Sequence, residues 1–86
     1  MTSINNFLDK IKYVLDSEPS DDDFDLFNDL ETYFIDNNED IYKESVLISD
    51  LGYEMQDIIA EISFMEDTTQ YRLEIQKIYE KMNKCS

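Results

Sequence analysis

The sequence contains no histidine and a single cysteine, Cys85. Histidine is the side chain that most often acts as a general base and as a metal ligand, and its absence removes the usual means of activating a Ser or Thr nucleophile. Structural zinc sites need several Cys or His ligands, which this chain cannot supply. One cysteine cannot form an internal disulfide, which suits a reducing cytoplasm. We therefore expect no enzymatic activity, no cofactor and no metal.

Glycine and proline are also scarce, with one residue of each. A single glycine, Gly52, excludes the phosphate loops and dinucleotide fingerprints that need several. So few turn residues disfavour hairpins and favour long helices with short polar connections. No run of apolar residues reaches the roughly 20 needed to cross a bilayer, and no signal peptide is visible. These features predict a cytoplasmic protein without a membrane partner.

Basic residues are also few. The chain has 7 Lys and Arg against 21 Asp and Glu, which gives a net charge of −14. Direct binding of nucleic acid is unfavourable for such a chain because phosphate contacts need Lys and Arg. Residues 16–40 hold eleven acidic residues and no Lys or Arg, with aromatic residues interleaved. An acidic stretch rich in aromatics predicts an ordered negative surface rather than a solvating tail. Its natural complement is a basic protein.

Apolar spacing predicts helices along the whole chain. The first covers residues 3–17 and ends at the Glu18-Pro19-Ser20 segment, because the residue before a proline disfavours helix. A second opens at residues 21–23 and breaks at residues 36–38, followed by a short turn over residues 39–45. Ser45 caps a further helix, which Gly52 either ends or occupies as an internal residue of a longer helix. Residues 53–64 form a buried central helix, and a last helix covers residues 68–83. We expect one all-α domain, residues 1–86, built as a small bundle of four to five helices.

The acidic run also calls for a test of calcium binding, because EF-hand loops alternate carboxylates. Asp21, Asp23 and Asp25 match the first, third and fifth loop positions. The sixth position requires Gly and is Leu26, and the twelfth requires Glu and is Thr32. The pattern fails at two decisive positions, so no metal site is expected in this segment.

The acidic segment supplies the candidate partner-binding residues. Tyrosines within it are included because tyrosine offers a large contact area at low entropic cost. The candidates are Asp21, Asp22, Asp23, Asp25, Asp29, Glu31, Tyr33, Asp36, Glu39, Asp40 and Tyr42. A charge run is also typical of a solvated face that only aids solubility, and that interpretation stays open beside partner recognition.

Two segments, residues 36–44 (DNNEDIYKE) and 57–61 (DIIAE), resemble small acidic immunity proteins of bacterial polymorphic toxin systems, including contact-dependent inhibition systems and nuclease bacteriocins. Related segments carry a proline where this chain has Gln56. The resemblance implies stoichiometric inhibition of a cognate toxin inside the producing cell. Many such toxins cleave RNA or DNA and present basic active-site clefts.

Charge and resemblance together predict an immunity protein that neutralises a cognate nuclease toxin by occluding its basic cleft, as a monomer in a one-to-one complex. One alternative is a phage-type nucleic-acid mimic, such as an anti-restriction or anti-CRISPR inhibitor, which would use the same physics against another basic groove. A second alternative is an acidic helical adaptor without a nuclease target. An adjacent toxin gene would favour immunity, and a prophage early operon would favour the mimic.

Overall fold

Four α-helices make up the computed structural model, which describes residues 3–19, 22–62 and 67–85. No strand is present in these ranges, so the all-α prediction is confirmed, with four helices where four to five were expected. The helices are α1 (Ser3–Asp16), α2 (Asp23–Glu44), α3 (Val46–Glu61) and α4 (Thr69–Cys85).

Helix α2 runs without interruption, so the predicted break at residues 36–38 is wrong. The Asn37 side chain donates to the carbonyl oxygen of Tyr33 at 2.9 Å, one turn earlier in the same helix. The Asn38 side chain donates to the Tyr53 hydroxyl at 3.1 Å. Both amides thus have partners that leave the helical backbone intact, and the predicted turn over residues 39–45 is the end of α2.

A single residue, Ser45, separates α2 from α3. Its backbone is extended, with φ −159° and ψ 115°, and its hydroxyl accepts from the backbone N–H of Ile48 at 3.3 Å. The predicted capping role of Ser45 is therefore confirmed. Gly52 lies inside α3, so of the two alternatives the longer helix is confirmed, and α3 ends at Glu61. The predicted end of this helix, residues 63 and 64, lies outside the described residues.

Each helix packs against two neighbours, α1 and α3 both lying between α2 and α4. The backbone N–H of Ser3 donates to a Glu44 carboxylate oxygen at 3.2 Å, which places the start of α1 beside the end of α2. Arg72, near the start of α4, donates to the carbonyl oxygen of Val14 near the end of α1 at 2.9 Å. Neighbouring helices thus run antiparallel, as in an up-down-up-down bundle.

The core is built from the apolar stripe of each helix. Along the predicted central helix, residues 53–64, the buried residues include Met55, Ile59 and Ile62. Aromatic rings join α1 to α2, since the ring centroids of Phe7 and Phe34 lie 5.4 Å apart. The fully buried large residues are Phe7, Ile11, Phe27, Leu30, Phe34, Ile41, Ile48, Met55, Ile75 and Met82. Phe27, Leu30 and Phe34 bury one side of α2, and the opposite side of this helix therefore faces solvent.

Among the described residues, none of the four helices combines the length and the apolar character needed to cross a bilayer.

Candidate partner-binding site

The outward side of α2 carries a row of exposed carboxylates. Phe27, Leu30 and Phe34 fix the buried side of the helix. Acidic residues spaced by three, four and seven positions fall on the other side, because these spacings return to one face of an α-helix. From Asp25 to Asp40 the row extends about 22 Å along the helix axis. This acidic row consists of Asp22, Asp25, Asp29, Asp36, Glu39 and Asp40, all of them exposed.

Helix stability does not explain the acidic row. Carboxylates at i and i+4, as in Asp25 with Asp29 and Asp36 with Asp40, destabilise a helix by a few tenths of a kcal/mol per pair. The helix dipole favours acids only in the first turn, and the later part of the row lies beyond it. Lys43, in the last turn, is the only Lys or Arg of α2. Within the described ranges no ion pair involves Asp25, Asp29, Asp36, Glu39 or Asp40.

Asp23 lies outside the acidic row because its side chain is buried, with 1% of its surface exposed. The Arg72 guanidinium binds it through both oxygens, with Nη2 2.5 Å from Oδ1 and Nε 2.8 Å from Oδ2. The Thr68 hydroxyl also donates to Oδ2. The prediction that Asp23 belongs to the exposed partner surface is therefore wrong, because its carboxylate is enclosed and bound within the bundle.

Arg72 uses its other donors to hold the end of α1. Nη1 donates to the carbonyl oxygens of Val14 at 2.9 Å and Ser17 at 2.8 Å, and Nη2 reaches the Ser17 hydroxyl at 3.3 Å. The guanidinium carbon also lies 5.8 Å from the ring centroid of Phe27. Arg72 thus joins α1, α2 and α4 at one end of the bundle. It is the only arginine in the chain, a signal that sequence reasoning did not use.

The two candidate tyrosines lie on opposite flanks of α2. Tyr33 is half-buried against α1, where its ring stacks on Phe7 at 6.1 Å and its hydroxyl donates to the carbonyl oxygen of Ser3 at 3.2 Å. Burial raises the pKa of Tyr33; a hydrogen bond with Asn6 opposes this rise and the charge of Glu44 adds to it. Tyr42 is 56% exposed on the side of α3. The structure therefore does not bring these two candidates together.

Two candidates remain, Glu31 and Asp21. Glu31 is half-buried and lies on the same flank of α2 as Tyr42, eleven residues along the helix. Asp21 lies outside the described residues.

Sequence reasoning missed three apolar side chains that accompany Tyr42. Ile35 and Tyr42 are seven residues apart on α2, and Val46 and Tyr53 are seven residues apart on α3. The Tyr53 ring meets Phe34 of α2 edge-on at 5.1 Å, which places its helix face beside α2. These four residues, each between 48% and 56% exposed, form what we term the α2/α3 patch. The paired seven-residue spacings were the sequence signal for it.

Other kinds of site receive less support from the geometry. Over the part of the chain that the structure describes, no three His, Cys, Asp or Glu side chains converge in a way that could hold a metal ion.

Comparison with protein-family models, with curated proteins and with solved structures gave no match to this chain. The features that bear on function are therefore the acidic row, the α2/α3 patch and the sequence resemblance.

Proposed function

We propose that this protein is an immunity-type inhibitor that binds a basic bacterial toxin, a nuclease, through the acidic row of α2. The observation that carries the proposal is the row itself: exposed carboxylates on one rigid helix, without ion pairs from Asp25 to Asp40 within the described residues. A nuclease cleft holds Lys and Arg side chains to bind phosphates. Carboxylates of the row would occupy the same cations and exclude the nucleic acid.

Inhibition of this kind needs complementarity and no chemical step. Charge-assisted bonds from Arg or Lys to a carboxylate are roughly twice as strong as neutral hydrogen bonds. The net charge of −14 steers a basic partner toward the protein, and steered association reaches the order of 10⁸ M⁻¹s⁻¹ at low salt. The row therefore favours rapid capture of the toxin in the cell that makes both proteins.

The choice of a toxin among basic partners rests on the resemblance to immunity proteins. The first resembling segment, residues 36–44, forms the second half of α2 and includes Asp36, Glu39 and Asp40 of the acidic row. The second, residues 57–61, ends α3 on the neighbouring helix. Both segments thus belong to the pair of helices that carries the row and the α2/α3 patch.

The proposal is tested by identifying the partner and then separating the row from overall charge. The immobilised protein is exposed to lysate of its native strain, and the bound protein is identified, purified and assayed for nuclease activity. The row variant Asp25→Lys/Asp29→Lys/Asp36→Lys is compared with the control Glu54→Lys/Glu61→Lys/Glu80→Lys. Both sets change exposed residues and shift the net charge equally.

We expect a basic nuclease bound one to one, inhibited by the wild type and by the control but not by the row variant. A captured partner without nuclease activity would contradict the toxin assignment, and a restriction or CRISPR nuclease would favour the nucleic-acid mimic. Equal inhibition by all three proteins would show that the acidic row is only a solvated face.

A further inference from the structure

We infer that the α2/α3 patch is a second docking element, which receives an arginine-bearing apolar surface of a partner protein. The inference deepens the proposed function, on which it rests for the identity of that partner. The acidic row attracts any basic surface, whereas the patch adds shape and apolar contact. The patch would therefore determine which basic protein stays bound.

The patch is the main concentration of exposed apolar side chains in the described residues. Seven large hydrophobic residues there are exposed, and four of them, Ile35, Tyr42, Val46 and Tyr53, lie on this one flank of α2 and α3. The other three, Tyr13, Leu47 and Leu73, are on α1, on the opposite flank of α3 and on α4. A contiguous exposed apolar area with a polar rim marks an interaction site in soluble proteins.

The patch is also rigid. The two helices that form it are joined by one residue, Ser45, so their ends cannot move apart. Tyr53 is fixed by its contact with Phe34 and by the hydrogen bond from Asn38 at 3.1 Å. Rigid aromatic anchors lose little entropy on binding, which makes them effective contact residues.

The surrounding charges decide what the patch can receive. Helical spacing places Glu31 and Glu39 of α2 beside the patch. Asp50 and Asp57 of α3 lie at its outer edge, where they also line grooves with Lys77, Lys81 and Lys84 of α4. Lys43 is the only basic residue of the two helices. A purely apolar partner would desolvate these carboxylates without pairing them, which is unfavourable.

Arginine fits this combination better than lysine. Its planar guanidinium stacks on tyrosine faces and binds carboxylates through two parallel bonds. Its aliphatic stem can lie along Ile35 or Val46 while the charge reaches the acidic rim. Lysine offers a compact, strongly hydrated charge without the planar fork. We therefore expect the partner surface to present arginine with neighbouring apolar side chains.

A peptide titration tests the patch without the toxin. The ¹⁵N-labelled protein is titrated with acetyl-Leu-Arg-Leu-Arg amide and with the matching lysine peptide, and amide shifts are followed by NMR. The patch variant Ile35→Ser/Tyr42→Ser is compared with Leu47→Ser/Leu73→Ser, which alters two exposed apolar residues outside the patch. Circular dichroism melts confirm that both variants fold.

We expect the arginine peptide to shift amides around residues 35, 42, 46 and 53 several-fold more than the lysine peptide does. The patch variant should lose these shifts and the control should keep them. Equal shifts from both peptides, confined to the acidic row, would overturn the inference. A patch that binds the arginine peptide while no nuclease is captured would leave this inference standing and remove the proposed function.

With a captured toxin, kinetics give the second readout. The patch variant should dissociate at least about tenfold faster, with an unchanged association rate, because apolar contacts act mainly on dissociation. Unchanged dissociation of the patch variant would overturn the inference.

Discussion

The backbone of Gly52 in α3 lies directly against the ring of Phe34 in α2. A Cβ atom placed on Gly52 would lie 2.6 Å from Cζ and 2.8 Å from Cδ1 of that ring, and closer still to Cε1. The Phe34 side chain is fully buried. The only glycine of the chain thus sets how closely the two helices that carry the α2/α3 patch approach each other.

Gly52→Ala should therefore destabilise the protein, although alanine favours helix over glycine by about 1 kcal/mol. Overpacking in a well-packed core costs about 1–3 kcal/mol, which exceeds that gain. Chemical denaturation followed by circular dichroism measures the change. Combining Gly52→Ala with Phe34→Leu should cost less than the sum of the two single changes. A more stable Gly52→Ala protein would show that α2 and α3 are not in this close contact.

Loss of Arg72 should be among the most damaging changes. Arg72→Met leaves Asp23 buried without its cation, and breaking a buried pair in this way costs about 3–5 kcal/mol. Arg72→Lys should recover only part of the loss, since lysine lacks the fork that serves Asp23, Val14 and Ser17 together. The free energy of unfolding from urea titration gives the comparison.

The double variant Asp23→Ala/Arg72→Met supplies the control, because it removes both charges. It should be less destabilised than the sum of its single variants. Additive losses would mean that the two side chains do not stabilise each other.

Tyr33 should make stability depend on pH in the alkaline range. Burial raises its pKa in the folded protein above the ordinary value of about 10. The stabilising contribution of neutral Tyr33 is thus complete below about pH 10 and is lost as the pH rises through the folded-state pKa. The difference in absorbance titration between wild type and Tyr33→Phe should have its midpoint above 10 in the folded protein and near 10 in denaturant. A folded-state midpoint at or below 10 would contradict the burial of this hydroxyl.

Added salt should stabilise the protein at neutral pH. The net charge of −14 makes the folded state self-repelling, and the Debye length falls from about 30 Å at 0.01 M salt to about 8 Å at 0.15 M. The melting temperature should rise over this range, and it should rise less for Asp25→Asn/Asp29→Asn/Asp36→Asn. A melting temperature that falls steadily with salt would show that favourable ion pairs outweigh the repulsion.

The sequence was a good guide to the bundle because apolar spacing determines which side of each helix is buried. In the predicted central helix, residues 53–64, the buried residues include Met55, Ile59 and Ile62; in the predicted last helix, residues 68–83, they include Ile75 and Met82. The predicted break at Asn37 and Asn38 failed for a physical reason. Local propensity counts the hydrogen bonds by which asparagine competes with the helical backbone. Asn37 instead donates to the Tyr33 carbonyl oxygen within α2, and the partner of Asn38, Tyr53, lies on α3 and depends on the fold.

The candidate site was predictable in its charge and not in its geometry. Composition singled out residues 16–40, but only the fold separates buried Asp23 from exposed Asp22 and Asp25. The burial of Asp23 depends on Arg72, which lies 49 residues further along the chain. The α2/α3 patch likewise combines residues from two helices whose packing had to be known first.

The central claim is that a basic toxin is captured by the acidic row of α2. The direct measurement is the association rate of the purified partner as a function of ionic strength, for wild type, the triple row variant and the triple control of equal charge change. The row variant should associate at least about tenfold more slowly at low salt, with a weaker salt dependence, while the control stays near wild type. Equal slowing in both variants would mean that net charge, and not the acidic row, directs the encounter.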